Sequence, residues 1–267
     1  MTAAATESMA RQKILLITLV GLAAGFLSGV FGVGGGILIA PGLVFLAKMD
    51  HRLAYGTSLA AVLPVALSSM ITYWTHDHID WSVMLFITIG ALVGAVIGTH
   101  FLNVVSQSAL AIGFSIILIL SAVRLFFEGV GEGRSTLSFW GIVLLIVIGL
   151  VSGILAGLLG VGGGIIMVPA MLVFFSIPSV VAKGTSLAVI VPTALMGTLR
   201  NRSNKNVDIL AAVIIGVSGI VAAIAGAWFS TRLSDTASNV LFACLMLAVA
   251  SKLLWQERGR FSTRTEG

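Results

Sequence analysis

Long apolar runs separated by short polar intervals dominate the chain. They fall near residues 14–47, 53–74, 81–102, 108–127, 139–175, 184–199, 209–230 and 236–254, four in each half. Most have the roughly 20 residues that a helix needs to cross a hydrocarbon core of about 30 Å. The first run of each half is too long. As one helix, residues 14–47 would extend about 51 Å at about 1.5 Å per residue, so the run must break. The pattern predicts an all-α polytopic membrane protein of two halves, each with about four helical segments and a broken first segment.

The break is marked in the residues. Gly25-Phe26-Leu27-Ser28-Gly29-Val30-Phe31-Gly32-Val33-Gly34-Gly35-Gly36, followed by Pro41, returns 128 positions later as Gly153-Ile154-Leu155-Ala156-Gly157-Leu158-Leu159-Gly160-Val161-Gly162-Gly163-Gly164, followed by Pro169. The register holds through Gly56-Thr57-Ser58-Leu59-Ala60 and Pro64, which return as Gly184-Thr185-Ser186-Leu187-Ala188 and Pro192. About 19 of 44 positions are identical over residues 21–64, against roughly one in ten expected by composition. The chain is an internal repeat. Its expected divisions are an N-terminal tail 1–13, a first transmembrane repeat 14–128, a linker 129–138, a second repeat 139–256 and a C-terminal tail 257–267.

Composition sharpens the class. Only 9% of residues are charged, against 58% hydrophobic, where soluble domains carry about a quarter charged. The net charge of +5 is dispersed over loops and termini, which excludes a nucleic-acid-binding domain and fits a positive-inside bias. Arg11 and Lys13 before an apolar run with Ala23-Ala24 imitate a signal peptide, yet the run continues and its motif recurs internally. The single cysteine, Cys244, excludes disulfides within the chain and multi-cysteine metal sites.

If each glycine segment enters the membrane and returns, each half makes an odd number of crossings and the halves are inverted. Arg11, Lys13, Lys48, Arg52, Arg200, Arg202, Lys205, Lys252, Arg258, Arg260 and Arg264 then share one side, against Arg124, Arg134, Lys183 and Arg232 on the other. A parallel arrangement gives the same count, so charge alone does not decide. The loop His76-Asp77-His78-Ile79-Asp80 aligns with Lys205-Asn206-Val207-Asp208, preceded by Arg200 and Arg202. Equivalent loops with opposite charge character favour inversion, which also sets two broken segments about the midplane, where one site can use both.

Gly34, Gly35 and Gly36, with Gly162, Gly163 and Gly164, read as loops leading into short helices, whose free N–H groups and dipoles attract anions. Such backbone at membrane depth must be buried in protein or line a cavity. Gly25, Gly29, Gly153 and Gly157 read instead as helix-packing positions. Thr57, Ser58, Thr185 and Ser186 offer hydroxyl donors without fixed charge, or cap and back-bond within their helices. Pro41, Pro64, Pro169 and Pro192 are expected to fix the breaks. Lys183, where the other half has Tyr55, reads first as a snorkelling side chain and second as a counter-charge to an anion. Asp80 and Asp208 begin matching spans, as helix-terminal charges or proton-coupling groups. The His76, His78, Asp80 cluster is too weak for a metal, and no metal or cofactor is expected. A hydrolase reading lacks a nucleophile–base pair deep in any span.

On the duplicated Gly-x-x-x-Gly-x-x-Gly-x-Gly-Gly-Gly-x-x-x-x-Pro pattern, both Thr-Ser motifs and both Asp-initiated spans, the chain resembles the sulfite exporter TauE/SafE family of membrane permeases over about residues 14–254. The second copy departs at Ala156, where the first has Ser28, which speaks against an essential hydroxyl at that position. The resemblance implies movement of sulfur-containing anions such as sulfite, sulfoacetate and other sulfonates across a bacterial inner membrane. The expected protein is a secondary transporter working by alternating access, with both termini cytoplasmic, a coupled proton or sodium ion for uphill transport, and homo-oligomers allowed. A passive anion channel and an accessory subunit without its own flux are the alternatives.

Overall fold

A computed structural model describes residues 3–101 and 137–262, with a few helical positions between 112 and 123. The linker 129–138 up to residue 136, Arg124, Arg134 and Arg264 lie outside the described residues. The elements are α1 (Ala3–Phe31), α2 (Gly36–Phe45), α3 (His51–Trp74), α4 (Trp81–Phe101), α5 (Phe139–Leu159), α6 (Gly164–Phe175), α7 (Ser179–Ser203), α8 (Ile209–Thr231) and α9 (Asp235–Ser262). Six of the described helices contain a stretch long and apolar enough to span a bilayer: Arg11–Phe31, His51–Trp74, Trp81–His100, Phe139–Leu159, Ser179–Ser203 and Ile209–Thr231. Their outer faces stay apolar: Leu85, Ile89 and Val93 on α4, and Val213, Val217 and Val221 on α8, are exposed at helical spacing, as lipid-facing side chains require.

Helix directions follow from close glycine contacts. Gly21, Gly25 and Gly29 of α1 meet Ile215, Gly219 and Ala223 of α8 in ascending order, so these helices run parallel. Gly149, Gly153 and Gly157 of α5 meet Ile87, Ala91 and Ala95 of α4 in the same way. α3 runs parallel to α8, with Thr57 at Asp208 and Val65 at Gly219. It runs against α7, where Gly197 lies on Leu59 and Asn201 on Gly56. α4 and α7 run together, from Asp80 at Thr185 to Val96 at Arg200. Thus α1, α3 and α8 point one way and α4, α5 and α7 the other. Each of these six helices opposes its repeat twin, and the halves are inverted.

The long first runs break where expected. α2 turns back along α1, since Gly35 lies against Ala24 and Gly42 against Val20. α9 begins beside Ser230 at the end of α8 and returns until Lys252 stands over the Phe45 ring. Both terminal helices therefore have their outer ends on one side, called here the N-terminal side, with the opposite side the far side.

The repeat is more complete in the backbone than in the residues. Every left-handed position among the described residues has its twin 128 residues on: Gly32 and Gly160, Gly34 and Gly162, Gly35 and Gly163, Lys48 and Ser176, Asp77 and Lys205. The last two pairs share no residue type, so the turn geometry outlasted the sequence likeness. The prolines correct an expectation. Pro41, Pro64, Pro169 and Pro192 lie inside α2, α3, α6 and α7, which continue through them. The breaks fall at the glycines instead. Packed neighbours let a membrane helix tolerate the hydrogen bond that a proline removes, and Gly216 leaves the room into which the Pro64 ring fits.

Candidate functional site

The two glycine loops meet in the protein interior. A Cβ on Gly36 would come within 2.6 Å of the Gly160 carbonyl oxygen and 2.7 Å of the Val161 Cα. A Cβ on Gly164 would meet the twin atoms, Gly32 O at 2.8 Å and Val33 Cα at 2.7 Å. Gly34 and Gly162 face the same two side chains, Val62 and Ile190, which are themselves repeat twins. The pseudo-twofold axis therefore passes between the loops and this apolar pair. At Gly34 and Gly35, φ values of 79° and 75° admit glycine most easily, and the neighbours leave little room for any other side chain.

Both short helices start at this point without a side-chain cap. The N–H groups of Val33, Gly34 and Gly35, and of Val161, Gly162 and Gly163, donate to no protein oxygen among the described residues. Each unpaired buried donor costs about 1–3 kcal/mol. Two helix N-termini, each worth roughly half a positive charge, converge on the same place. Such an arrangement favours an acceptor-rich, negatively charged occupant.

The Thr-Ser motifs divide their work. Thr57 Oγ1 accepts the Asp208 N–H at 2.9 Å, and Thr185 Oγ1 accepts the Asp80 N–H at 2.9 Å. Asp208 in turn caps α8 through the Ala211 N–H, and Asp80 caps α4 through the Ser82 and Val83 N–H groups. Gly56 and Gly184 admit the carbonyls of Asn206 and His78 from the same loops. Each Gly-Thr pair thus clasps the helix-start loop of the opposite half.

The serines face inward. Ser58 Oγ donates to the Gly160 carbonyl at 2.8 Å. Its twin Ser186 is fully buried with no partner, its Oγ only 2.9 Å from where a Gly164 Cβ would stand. Ser152 is likewise buried and unpartnered, with its Cβ 3.2 Å from the Gly163 position. Reading the sequence alone missed Ser152, because its twin is Ala24 and the repeat comparison discards such a position.

Lys183 does not snorkel. It is fully buried, the one charged side chain buried among the described residues. Its Nζ donates to Ser230 Oγ at 3.1 Å and to Ser238 Oγ, while its Cα lies 2.6 Å from a Cβ built on Gly32. Tyr73, also buried, donates to the Gly29 carbonyl at 2.7 Å near the same end of α1. Among the described residues no group of three His, Cys, Asp or Glu side chains is placed to hold a metal.

Comparison with known proteins places this architecture. The model of the family described as sulfite exporter TauE/SafE matches residues 16–156 and 144–266. A probable membrane transporter protein of Bacillus subtilis, YunE, is 30% identical over 248 residues, covering 83% of this chain and 87% of the relative. A probable membrane transporter protein of Xylella fastidiosa is 26% identical over 256 residues, covering 93% and 97%. A probable membrane transporter protein of Methanocaldococcus jannaschii, MJ0441, is 30% identical over 196 residues, covering 69% and 70%. The chain belongs to the sulfite exporter TauE/SafE family, a family of membrane transporters and not of enzymes.

Proposed function

We propose that the protein is a secondary transporter that exports a small sulfur-containing anion, such as sulfite, sulfoacetate or another sulfonate, by alternating access. One observation carries the reading: two glycine loops with unpaired N–H groups and opposed helix N-termini meet on the pseudo-twofold axis, with the free hydroxyls of Ser152 and Ser186 beside them. A sulfonate or sulfite presents three oxygens around one sulfur, acceptors that amides and hydroxyls can satisfy without a fixed countercharge. Gly34 to Gly36 and Gly162 to Gly164 supply the amides in this reading and Ser152 and Ser186 the hydroxyl donors, while Ser58 joins them only by releasing the Gly160 carbonyl. Thr57 and Thr185 hold the surrounding loops in this reading, through the Asp208 and Asp80 N–H groups.

Inverted halves give a physical route to alternating access, because exchanging the conformations of two opposed repeats carries a central site from one side to the other. Among the described residues, Arg11, Lys13, Lys48, Arg52, Arg200, Arg202, Lys205 and Lys252 belong to the N-terminal side, against Arg232 and the buried Lys183 toward the far side. The positive-inside bias makes the N-terminal side cytoplasmic, in a bacterial inner membrane. An inside-negative potential favours expulsion of an anion by about 2.3 kcal/mol per charge per 100 mV, so export runs without obligatory coupling. Uptake needs a coupled proton or sodium ion.

The test uses Ser186→Ala and Ser152→Ala. Removing a hydroxyl that has no partner costs the folded protein nothing in hydrogen bonding, whereas a hydrogen bond to a charged ligand is worth about 1.5–3 kcal/mol. Counterflow in proteoliposomes against sulfite, sulfoacetate, taurine, sulfate and lactate identifies the substrate. Each variant is expected to lose affinity about tenfold to a hundredfold with unchanged melting temperature. Unchanged affinity in both variants would remove the serines from the site, and flux without saturation or exchange would indicate a channel.

A further inference from the structure

Ser179, Lys183, Ser186 and Ile190 follow one another at intervals of four, three and four residues along α7. That spacing places them on one helix face, and all four are buried. The stripe runs from the far-side end of α7 to the axis, where Ile190 faces both glycine loops. Its outer end is closed by hydroxyls from two other helices: Ser230 at the end of α8 and Ser238 in the first turn of α9 both receive the Lys183 ammonium, and Ser179 Oγ lies 3.4 Å from Ser238 Oγ. Ser230 passes the contact on by donating to the Val30 carbonyl at the end of α1, at 3.0 Å. Three helices thus meet on one ammonium group, with α1 joined to it through Ser230, beside the first glycine loop.

The twin stripe on α3 reads His51, Tyr55, Ser58 and Val62. Its Tyr55 backbone lies against Gly160 just as Lys183 lies against Gly32, but it places no fixed charge at that level. The asymmetry belongs to one side of the axis alone, so helix packing common to both halves does not explain it. Burying a lysine ammonium is expensive unless it is hydrogen-bonded. Here two of its donors go to side-chain hydroxyls, groups that exchange partners readily when an anion arrives.

We propose that Lys183 is the charge-selecting gate of the far-side pathway: it clamps α7 to α8 and α9 when that side is shut, and turns to an oxoanion that passes between the axis and the far side. The proposal rests on the central-site reading above for its direction of traffic, and it assigns to Lys183 a role the glycine loops do not have.

The experiment needs no transport substrate. In a Cys244→Ser background, Ser186→Cys is probed from the far side with two membrane-impermeant methanethiosulfonates, one bearing a sulfonate and the other a trimethylammonium group. The ratio of their labelling rates reports the charge preference of the path. Adding Lys183→Gln is expected to lower the anionic-to-cationic ratio by about tenfold or more, as loss of a nearby unit charge in a weakly screening interior requires, and Lys183→Arg is expected to keep it. Ser238→Ala, which loosens the clamp and leaves the charge, should speed both reagents and preserve the ratio. A ratio that stays the same in Lys183→Gln overturns charge selection, and a cysteine that labels from the far side in none of these variants overturns the path. If the ratio shifts while Ser186→Ala and Ser152→Ala transport normally, the gate stands and the central site falls.

Discussion

Replacing Thr57 and Thr185 with valine separates the two tasks a hydroxyl can perform here. In the structure each Oγ1 accepts a backbone N–H across the interface between halves, Asp208 to Thr57 and Asp80 to Thr185, both at 2.9 Å. Valine keeps the volume and removes the acceptor. A typical hydrogen bond contributes about 0.5–1.5 kcal/mol net, and a buried donor left unpaired costs about 1–3 kcal/mol. The two N–H groups are partly buried, so about 1–2 kcal/mol of destabilisation is expected per site. A methyl group also cannot sit at 2.9 Å from an amide nitrogen, since carbon contacts settle near about 3.5–4.0 Å. The loop carrying the aspartate must therefore move out by roughly half an ångström or more. The sites lie in separate contacts on opposite sides of the membrane, so the double variant should add the two effects. At roughly 2–4 °C per kcal/mol, each single variant should melt about 2–8 °C lower in detergent, and Thr→Ser should restore most of the loss. Substrate affinity of the folded protein should change less than threefold. A tenfold loss of affinity with unchanged melting temperature would refute the clasp as the main role of these hydroxyls and return them to the ligand.

Two further outcomes follow from the helix contacts. Gly25→Ala and Gly153→Ala bring a Cβ to 2.3 Å and 2.2 Å of backbone oxygens on Gly219 and Ala91; both variants should be strongly destabilised in thermal unfolding, whereas Gly141→Ala, with nothing nearer than 3.5 Å, should melt like the parent. Cysteines at His76 and Asn204, both exposed on equivalent loops of opposed repeats, should label from opposite membrane faces in a Cys244-free protein, and labelling from one face would exclude the inverted arrangement.

Some of this was legible in the residues for local reasons. Apolar run length is set by bilayer thickness, so the spans could be read directly. Three glycines in succession are a poor helix wherever they occur, so the breaks at Gly34 to Gly36 and Gly162 to Gly164 were visible without any tertiary information. Identical spacing in two halves disclosed the repeat. The prolines were misread as breaks because a proline's cost depends on what surrounds the carbonyl it frees, and that lies in neighbouring helices.

What only the tertiary structure decided are matters of partnership across the chain. Thr57 and Asp208 are 151 residues apart, and nothing in either motif names the other. Ser58 and Ser186 are identical in local sequence, yet one donates to Gly160 and the other has no partner. Lys183 precedes the motif at the end of an apolar run, where local reading places its ammonium at the interface. It is buried because Ser230 and Ser238 arrive from α8 and α9 to receive it. The sequence by itself determined the membrane class, the duplication and the places where the backbone must open, since these depend on each segment's own solvation and conformational cost. Which polar groups are satisfied, and which stay open for a ligand, was decided by the packing of inverted halves, because a hydrogen bond needs both of its ends.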